Sequence, residues 1–245
     1  MREFGLIGKT LKHSFSANYF NAKFLAEGIY GCNYQLFELE NISELPKLIT
    51  EHPNLRGFNI TIPYKESILP YLDDMDDMVK EIGACNCVKI ENGKLFGYNT
   101  DVVGFTNSIL PLIEYQHHKA LILGNGGAAK AVIYALEQMS IAFQVIARNP
   151  KNKTELAWRN LSEDIVKECK IIINATPIGM WPKEDAFPDI AYNALSQFHL
   201  AFDLIYNPEA TQFLQKAAVQ GAKTQNGLEM LELQAEAAWA IFGGF

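Results

Sequence analysis

Cysteine is scarce in this sequence, four in 245 residues, too few for a disulfide framework. Cys85-x-Cys87 is too closely spaced for a zinc knuckle. The five histidines form no ligand pattern, and His117-His118 reads as a surface turn. No bound metal is expected. Positive charge is also in deficit: 21 Lys and Arg against 28 Asp and Glu leave a net −7. That balance argues against a surface built to hold nucleic acid, while allowing a local basic pocket for a small phosphate. No apolar run approaches the ~20 residues of a membrane span. The opening Met-Arg-Glu-Phe-Gly-Leu-Ile-Gly carries an acid at Glu3 and is too short in its apolar part for a secretory signal. Low-complexity tracts and internal repeats are lacking. A cytoplasmic protein with neither membrane nor nucleic-acid partner is expected, and monomer and homodimer both stay open. What the chain does have is 49% apolar residues, enough to bury a core in one large domain or two modest ones.

Short β-rich runs alternate with helical stretches almost from end to end, the pattern of an α/β protein. Phe4–Gly8 predicts a first strand and Ser16–Glu27 a helix, opened by a hydroxyl cap and closed near Gly28. Further strands are predicted over Tyr34–Leu39 and Gly57–Ile62, with Pro63 starting a helix. The acids Asp73, Asp74, Asp76 and Asp77 suit the first turn of a helix running through Ile82 better than a metal site. A second block begins near Asp101. Its strands fall at Ala120–Leu123, Phe143–Ala147, Ile171–Ile173 and Leu200–Ile205, with a helix from Ala128 to about Met139. This order reads as a nucleotide-binding half-sheet. The last helix, Gly227–Ile241, spaces Leu228, Leu231, Ala235, Ala238 and Phe242 as a core stripe.

Between the strand at Ala120 and the helix at Ala128 lies Gly124-Asn125-Gly126-Gly127-Ala128-Ala129, a G-x-G-x-x-A turn. The first glycine permits the turn, the second lets backbone approach a pyrophosphate, and the small Ala129 lets helix and strand pack closely. A plain structural turn is the alternative, but the strand-to-helix setting favours a dinucleotide. The end of the next strand selects which one. An acid there would hold the ribose 2′-hydroxyl of NAD; instead the chain has Arg148, Lys151 and Lys153 and no acid between Ala147 and Lys153. Arg148 can meet a 2′-phosphate with charge-assisted bonds of roughly 1.5–3 kcal/mol. NADP is favoured over NAD.

The front of the chain carries hydroxyl and amide groups in recurrent pairs. Ser14 and Ser16 share one side of an extended segment, as do Asn59 and Thr61. Lys65, Asn86 and Asp101 follow. Singly these are helix caps, turn residues and a surface lysine. Together they suit a small polyhydroxylated acid.

These residues lie in motifs that resemble shikimate dehydrogenases over nearly the whole chain. The resemblance runs through Gly5-Leu6-Ile7-Gly8, His13-Ser14-Phe15-Ser16, Gly57 to Lys65, Gly83-Ala84-Cys85-Asn86, Gly97 to Asp101 and Gly104-Phe105. It continues through the glycine turn, Asn174 to Met180, Asp203 to Pro208 with Thr211, and Gly227 to Leu231 with Gln234-Ala235. It implies an N-terminal α/β substrate domain (1–100 plus 226–245), a Rossmann-like NADP-binding domain (101–225) and a cleft between them. It also implies Lys65 and Asp101 as the catalytic pair, with Ser14 and Ser16 on the substrate carboxylate. Asn59, Thr61, Asn86 and Gln234 would surround the hydroxyls, and Tyr206 would line the nicotinamide side of the substrate. On the cofactor the resemblance places Gly124, Gly126, Gly127, Ala128, Arg148, Thr176, Met180, Leu204, Gly227 and Met230. The sequence departs from the family pattern at Ala17 for proline, Phe20 for histidine and Cys87 for threonine. Ala147 and Asn149 replace the outer members of Asn-Arg-Thr, leaving fewer side chains for the adenosine phosphate.

The reaction implied is the reversible reduction of 3-dehydroshikimate to shikimate by NADPH, a step toward chorismate and the aromatic amino acids. Charge growing on a reduced carbonyl oxygen needs a proton, and lysine, with a reference pKa of about 10.4, is charged at neutral pH. Lys65 is the expected donor, and Asp101 would favour its ammonium form. The rival readings are a quinate/shikimate dehydrogenase using NAD, an enzyme for an aminoshikimate-type acid, and a non-catalytic dinucleotide sensor, which would need neither Lys65 nor Asp101.

Overall fold

The computed structural model describes residues 1–12 and 14–244; His13, quoted above in a motif, lies outside the described residues. The chain forms two compact units. One holds Met1–Thr100 and the residues from Ala235 onward, the other Asp101–Gln234. This boundary falls inside the last helix, whereas the sequence reading placed it ahead of that helix.

The first unit contains β1 (Arg2–Gly8), α1 (Phe15–Ala26), β2 (Cys32–Glu38), α2 (Leu45–Glu51), β3 (Leu55–Ile60), β4 (Asp74–Met75), α3 (Asp77–Ile82), β5 (Cys87–Glu91) and β6 (Lys94–Tyr98). Its sheet has the order β2-β1-β3-β5-β6-β4. β2, β1 and β3 run parallel, and β5 is antiparallel to both β3 and β6. Side chains alternate across a strand, and both faces are buried. Ile7, Phe37, Phe58, Ile60 and Val88 join one core. Phe4, Leu6, Tyr34 and Cys87 join the other, with Phe20 and Phe24 of α1 and with Ala235, Ala238, Trp239 and Phe242. Asn59 sits between Phe58 and Ile60 on β3, so the same alternation turns it toward the face of Tyr34.

The second unit continues with α4 (Asp101–Ile109), β7 (Lys119–Leu123), α5 (Gly127–Gln138), β8 (Ala142–Ala147), β9 (Glu155–Ala157), α6 (Glu163–Glu168), β10 (Ile171–Asn174), β11 (Leu200–Asp203), α7 (Gln212–Val219), β12 (Lys223–Gln225) and α8 (Leu228–Ile241). Every pairing in its sheet is parallel, in the order β12-β11-β10-β7-β8-β9. The chain starts at the centre with β7, moves out to one edge, then returns to β10 and moves to the other. This is the doubly wound Rossmann arrangement, whose direction reverses between β7 and β10. Residues 120–123 of β7 and 171–174 of β10 are buried throughout, as expected of parallel strands covered on both faces.

Several sequence expectations need correction. Pro63 starts no helix: residues 62–68 form turns, and the Lys65 carbonyl accepts the Cys85 amide at 2.8 Å instead of serving a helical ladder. His117 is buried, not a surface residue, because its Nδ1 accepts the Glu114 amide at 2.9 Å and closes that turn. Leu228 is exposed; of the expected stripe, Ala235, Ala238 and Phe242 join the first unit's core, together with Trp239. The acid cluster divides its work. Asp76 caps α3 by accepting from the Val79 amide at 2.7 Å, and Asp73 accepts from the Leu95 amide at 2.8 Å. Among the described residues no group of His, Cys, Asp or Glu could hold a metal ion.

Candidate functional site

In each unit the candidate residues cluster at one edge of the sheet. In the first, β1, β3 and β6 all point their carboxyl ends that way, and antiparallel β5 starts there. Ser14 and Ser16 follow β1, Thr61 and Lys65 follow β3, and Asn86 precedes β5. Ser14 caps α1 and accepts from the Ser16 amide at 3.3 Å. A buried chain of side-chain hydrogen bonds then crosses the unit. The Tyr34 phenol donates to Asn59 Oδ1 at 2.8 Å. Asn59 Nδ2 donates to the Asn86 carbonyl at 3.3 Å, and Asn86 Nδ2 to Thr100 Oγ1 at 3.0 Å. The Thr100 amide returns to Asn86 Oδ1 at 2.6 Å. Two expected substrate residues, Asn59 and Asn86, are thus physically linked. Lys65, half-buried, is held next to Asn86 through its carbonyl bond to Cys85. Cys85 itself is no nucleophile, since burial pushes its thiol up to about 12.

In the second unit the parallel strands bring the ends of β7, β8, β10, β11 and β12 to one edge, where ligands of this fold bind. Gly124 has φ +113°, and a Cβ there would lie 2.9 Å from the Ala175 carbonyl oxygen. Both facts demand glycine. Gly126 is different: a Cβ there would meet no protein atom within 4 Å. Protein packing leaves that space open, and the first turn of α5 has no side-chain cap. Open space over uncapped amides fits a pyrophosphate. Gly127 and Ala128 open α5 beside it, and Arg148 stands exposed directly after β8. The basic loop is tied to the glycine turn. Asn125 Nδ2 donates to Glu155 Oε2 at 2.7 Å, the Lys151 amide donates to the same oxygen at 2.9 Å, and Lys151 Nζ donates to the Asn125 carbonyl at 3.1 Å. Asn125 and Glu155 were missed from sequence; Glu155, eight residues past Ala147, reaches back only through the fold.

Beyond β10 and β11 a second buried network holds two loops together. Asn174 Oδ1 accepts the Thr176 hydroxyl at 2.6 Å, while its Nδ2 donates to Asp203 Oδ1 at 3.0 Å. Asp203 also accepts the Ile205 amide at 3.0 Å and the Thr211 hydroxyl at 2.6 Å. Burial pushes the Asp203 carboxyl up to about 6 against those three bonds. Thr176 and exposed Met180 lie on one of these loops, Leu204 and half-buried Tyr206 on the other. Gly227 belongs with them: its Cβ would lie 2.2 Å from the Leu204 carbonyl oxygen, and its amide bonds the Ile205 carbonyl at 3.0 Å. Met230 is buried, with its carbonyl packed on Gly104, and Gln234 Nε2 donates to the Leu231 carbonyl at 2.9 Å. Asp101 is buried at the first residue of α4.

The fold and the glycine-turn geometry define a two-unit α/β protein with a dinucleotide-type Rossmann sheet. Comparison with known proteins narrows this. Residues 6–88 match the model of the shikimate dehydrogenase substrate binding domain. The chain is 38% identical to the shikimate dehydrogenase (NADP(+)) of Caldicellulosiruptor saccharolyticus, covering 99% of this chain and 92% of that one. The crystal structure of shikimate dehydrogenase from Aquifex aeolicus superposes with a TM-score of 0.87 at 36% identity, over 100% of this chain and 93% of that one. The Thermus thermophilus shikimate 5-dehydrogenase solved with NADP(H) and shikimate gives 0.88 at 30% identity, over 100% and 94%. The chain belongs to the shikimate dehydrogenase family.

Proposed function

We propose that the protein is an NADP-dependent shikimate dehydrogenase, reducing 3-dehydroshikimate reversibly to shikimate on the route to chorismate and the aromatic amino acids. The observation that carries this reading is relatedness along nearly the whole chain to a shikimate dehydrogenase (NADP(+)). The first unit is the substrate unit, and Ser14, Ser16, Asn59, Thr61 and Asn86 recognise the carboxylate and hydroxyls, with Tyr206 and Gln234 completing the set. The second unit holds NADP: Gly124, Gly126, Gly127 and Ala128 take the pyrophosphate and Arg148 the 2′-phosphate. Thr176, Met180, Leu204, Gly227 and Met230 serve the rest of the cofactor. The partners are small molecules; the net −7 disfavours nucleic acid. No helix of the described residues is long and apolar enough to cross a membrane, and the place of action we propose is the cytoplasm.

Bound NADPH supplies a hydride to the substrate carbonyl carbon. The protein's part is the proton: the Lys65 ammonium donates it to the carbonyl oxygen, and the neutral amine takes it back in the reverse direction. Asp101 orients Lys65 and accepts from a neighbouring substrate hydroxyl. The test is NADPH oxidation on adding 3-dehydroshikimate, with quinate, shikimate, NAD and NADP compared in the reverse direction. Turnover with the shikimate couple and NADP is expected. Preferred turnover of quinate with NAD would assign the rival dehydrogenase, and NADPH binding without turnover of any acid would assign a sensor.

A further inference from the structure

We infer that Tyr34, on β2, is a positioning residue for substrate recognition: its phenol fixes the polarity of the Asn59 side-chain amide, so that Asn59 offers an N–H to the substrate. The role rests on the reading of Asn59 as a contact to the hydroxylated acid.

The polarity follows from the neighbours. The Asn86 carbonyl, which also accepts the Ile60 amide at 2.8 Å, faces Asn59 at 3.3 Å. A carbonyl can only accept, so the Asn59 nitrogen must face it, and Oδ1 must then face Tyr34. The phenol has one proton and spends it on Asn59 Oδ1 at 2.8 Å. One Nδ2 hydrogen of Asn59 goes to Asn86, and the second is the one presented to a ligand. Burial holds the phenol neutral, well above its ordinary range, so it remains a donor at every assay pH.

Tyr34 is itself held on three sides. Its backbone is bracketed by the Asn21 amide, which donates to the Tyr34 carbonyl at 3.0 Å and accepts its N–H at 3.1 Å. Its ring stacks on Phe20, with centroids 4.4 Å apart and planes 15° apart. Its hydroxyl is buried and tied to Asn59. A group fixed in this way sets the orientation of its partner. Without the phenol, Asn59 Oδ1 is orphaned inside the protein, a costly state that rotation of the amide relieves by changing what faces the ligand.

Tyr34→Phe keeps the ring and its stack and removes only the hydroxyl. The KM for 3-dehydroshikimate should rise about 10-fold, the scale of one lost or misdirected hydrogen bond, with kcat and the KM for NADPH within about two-fold. Asn59→Ala should raise the same KM, and adding Tyr34→Phe to it should raise it no further. Unchanged KM in Tyr34→Phe, multiplying losses in the double variant, or a parallel rise in the NADPH KM would each overturn the role. A wild-type protein inactive on 3-dehydroshikimate removes the function reading and this role with it. An active wild type beside an unaffected Tyr34→Phe removes this role alone.

Discussion

Each unit buries a chain of side-chain hydrogen bonds behind the carboxyl ends of its strands, and the two chains differ in charge. In the first unit Tyr34, Asn59, Asn86 and Thr100 are all neutral. In the second a carboxylate, Asp203, stands between Asn174 and Thr211. A neutral chain presents the same donors and acceptors at any working pH, which suits recognition of hydroxyl groups. A buried carboxylate binds its donors more strongly, roughly twice as strongly as a neutral acceptor, and can hold two loops to one another. It also makes stability depend on pH. Recognition and loop anchoring thus call for different chemistry at equivalent places in two sheets.

The comparison breaks first at Lys65. If the neutral chain only recognises, proton transfer falls to Lys65, and Lys65→Ala should lower kcat by about 10²–10⁴-fold with little change in KM, measured by steady-state kinetics on a folded variant. A change confined to KM would mean that the neutral chain handles the reacting group itself. Next comes Asp203. Its carboxyl titrates near 6 when folded, above its ordinary 3.8, so the folded state takes up the proton first. Above pH 6 the buried charge costs stability; the cost shrinks as pH falls through 6 toward 4 and is gone below the unfolded value. A shift of about two units corresponds to about 3 kcal/mol. Urea unfolding should show wild type gaining about that much relative to Asp203→Asn between about pH 7 and about pH 4. A constant difference would erase the contrast between the two chains. The smallest effect concerns the exposed cation of the second unit. Arg148→Ala should weaken NADPH binding by roughly 10- to 100-fold and NADH binding little; titration calorimetry with both cofactors distinguishes this from an equal loss.

Sequence carried the central strands well because runs such as Ile171-Ile172-Ile173 and Ala120-Leu121-Ile122-Leu123 leave few alternatives. It also carried α1, expected over Ser16–Glu27 and found at Phe15–Ala26, and the strand-to-helix glycine turn. The edge strands Asp74–Met75, Glu155–Ala157 and Lys223–Gln225 are too short for a period to register. Pro63 read as a helix start because nothing local announces that Cys85 claims the Lys65 carbonyl. Of the site, the residues on strand ends were legible as polar punctuation after apolar runs. Tyr34 was not: an aromatic in a strand reads as core, which by packing it is, and only its partner across β1 reveals a second task. Asp203, likewise, fell inside the expected strand Leu200–Ile205, and its second task was hidden because its three donors come from residues 174, 205 and 211.

Gly126 and Gly124 stand two positions apart in one turn, yet selection would see them through different eyes. Bulk at Gly124 collides with the protein's own backbone, so any screen for folded, soluble chain removes it. A methyl group at Gly126 would meet no protein atom within 4 Å, so the same screen passes it, and on the proposed pyrophosphate role only a demand for turnover rejects it. A library sorted once for folding and once for growth would therefore separate the residues the protein keeps for itself from those it keeps for its cofactor.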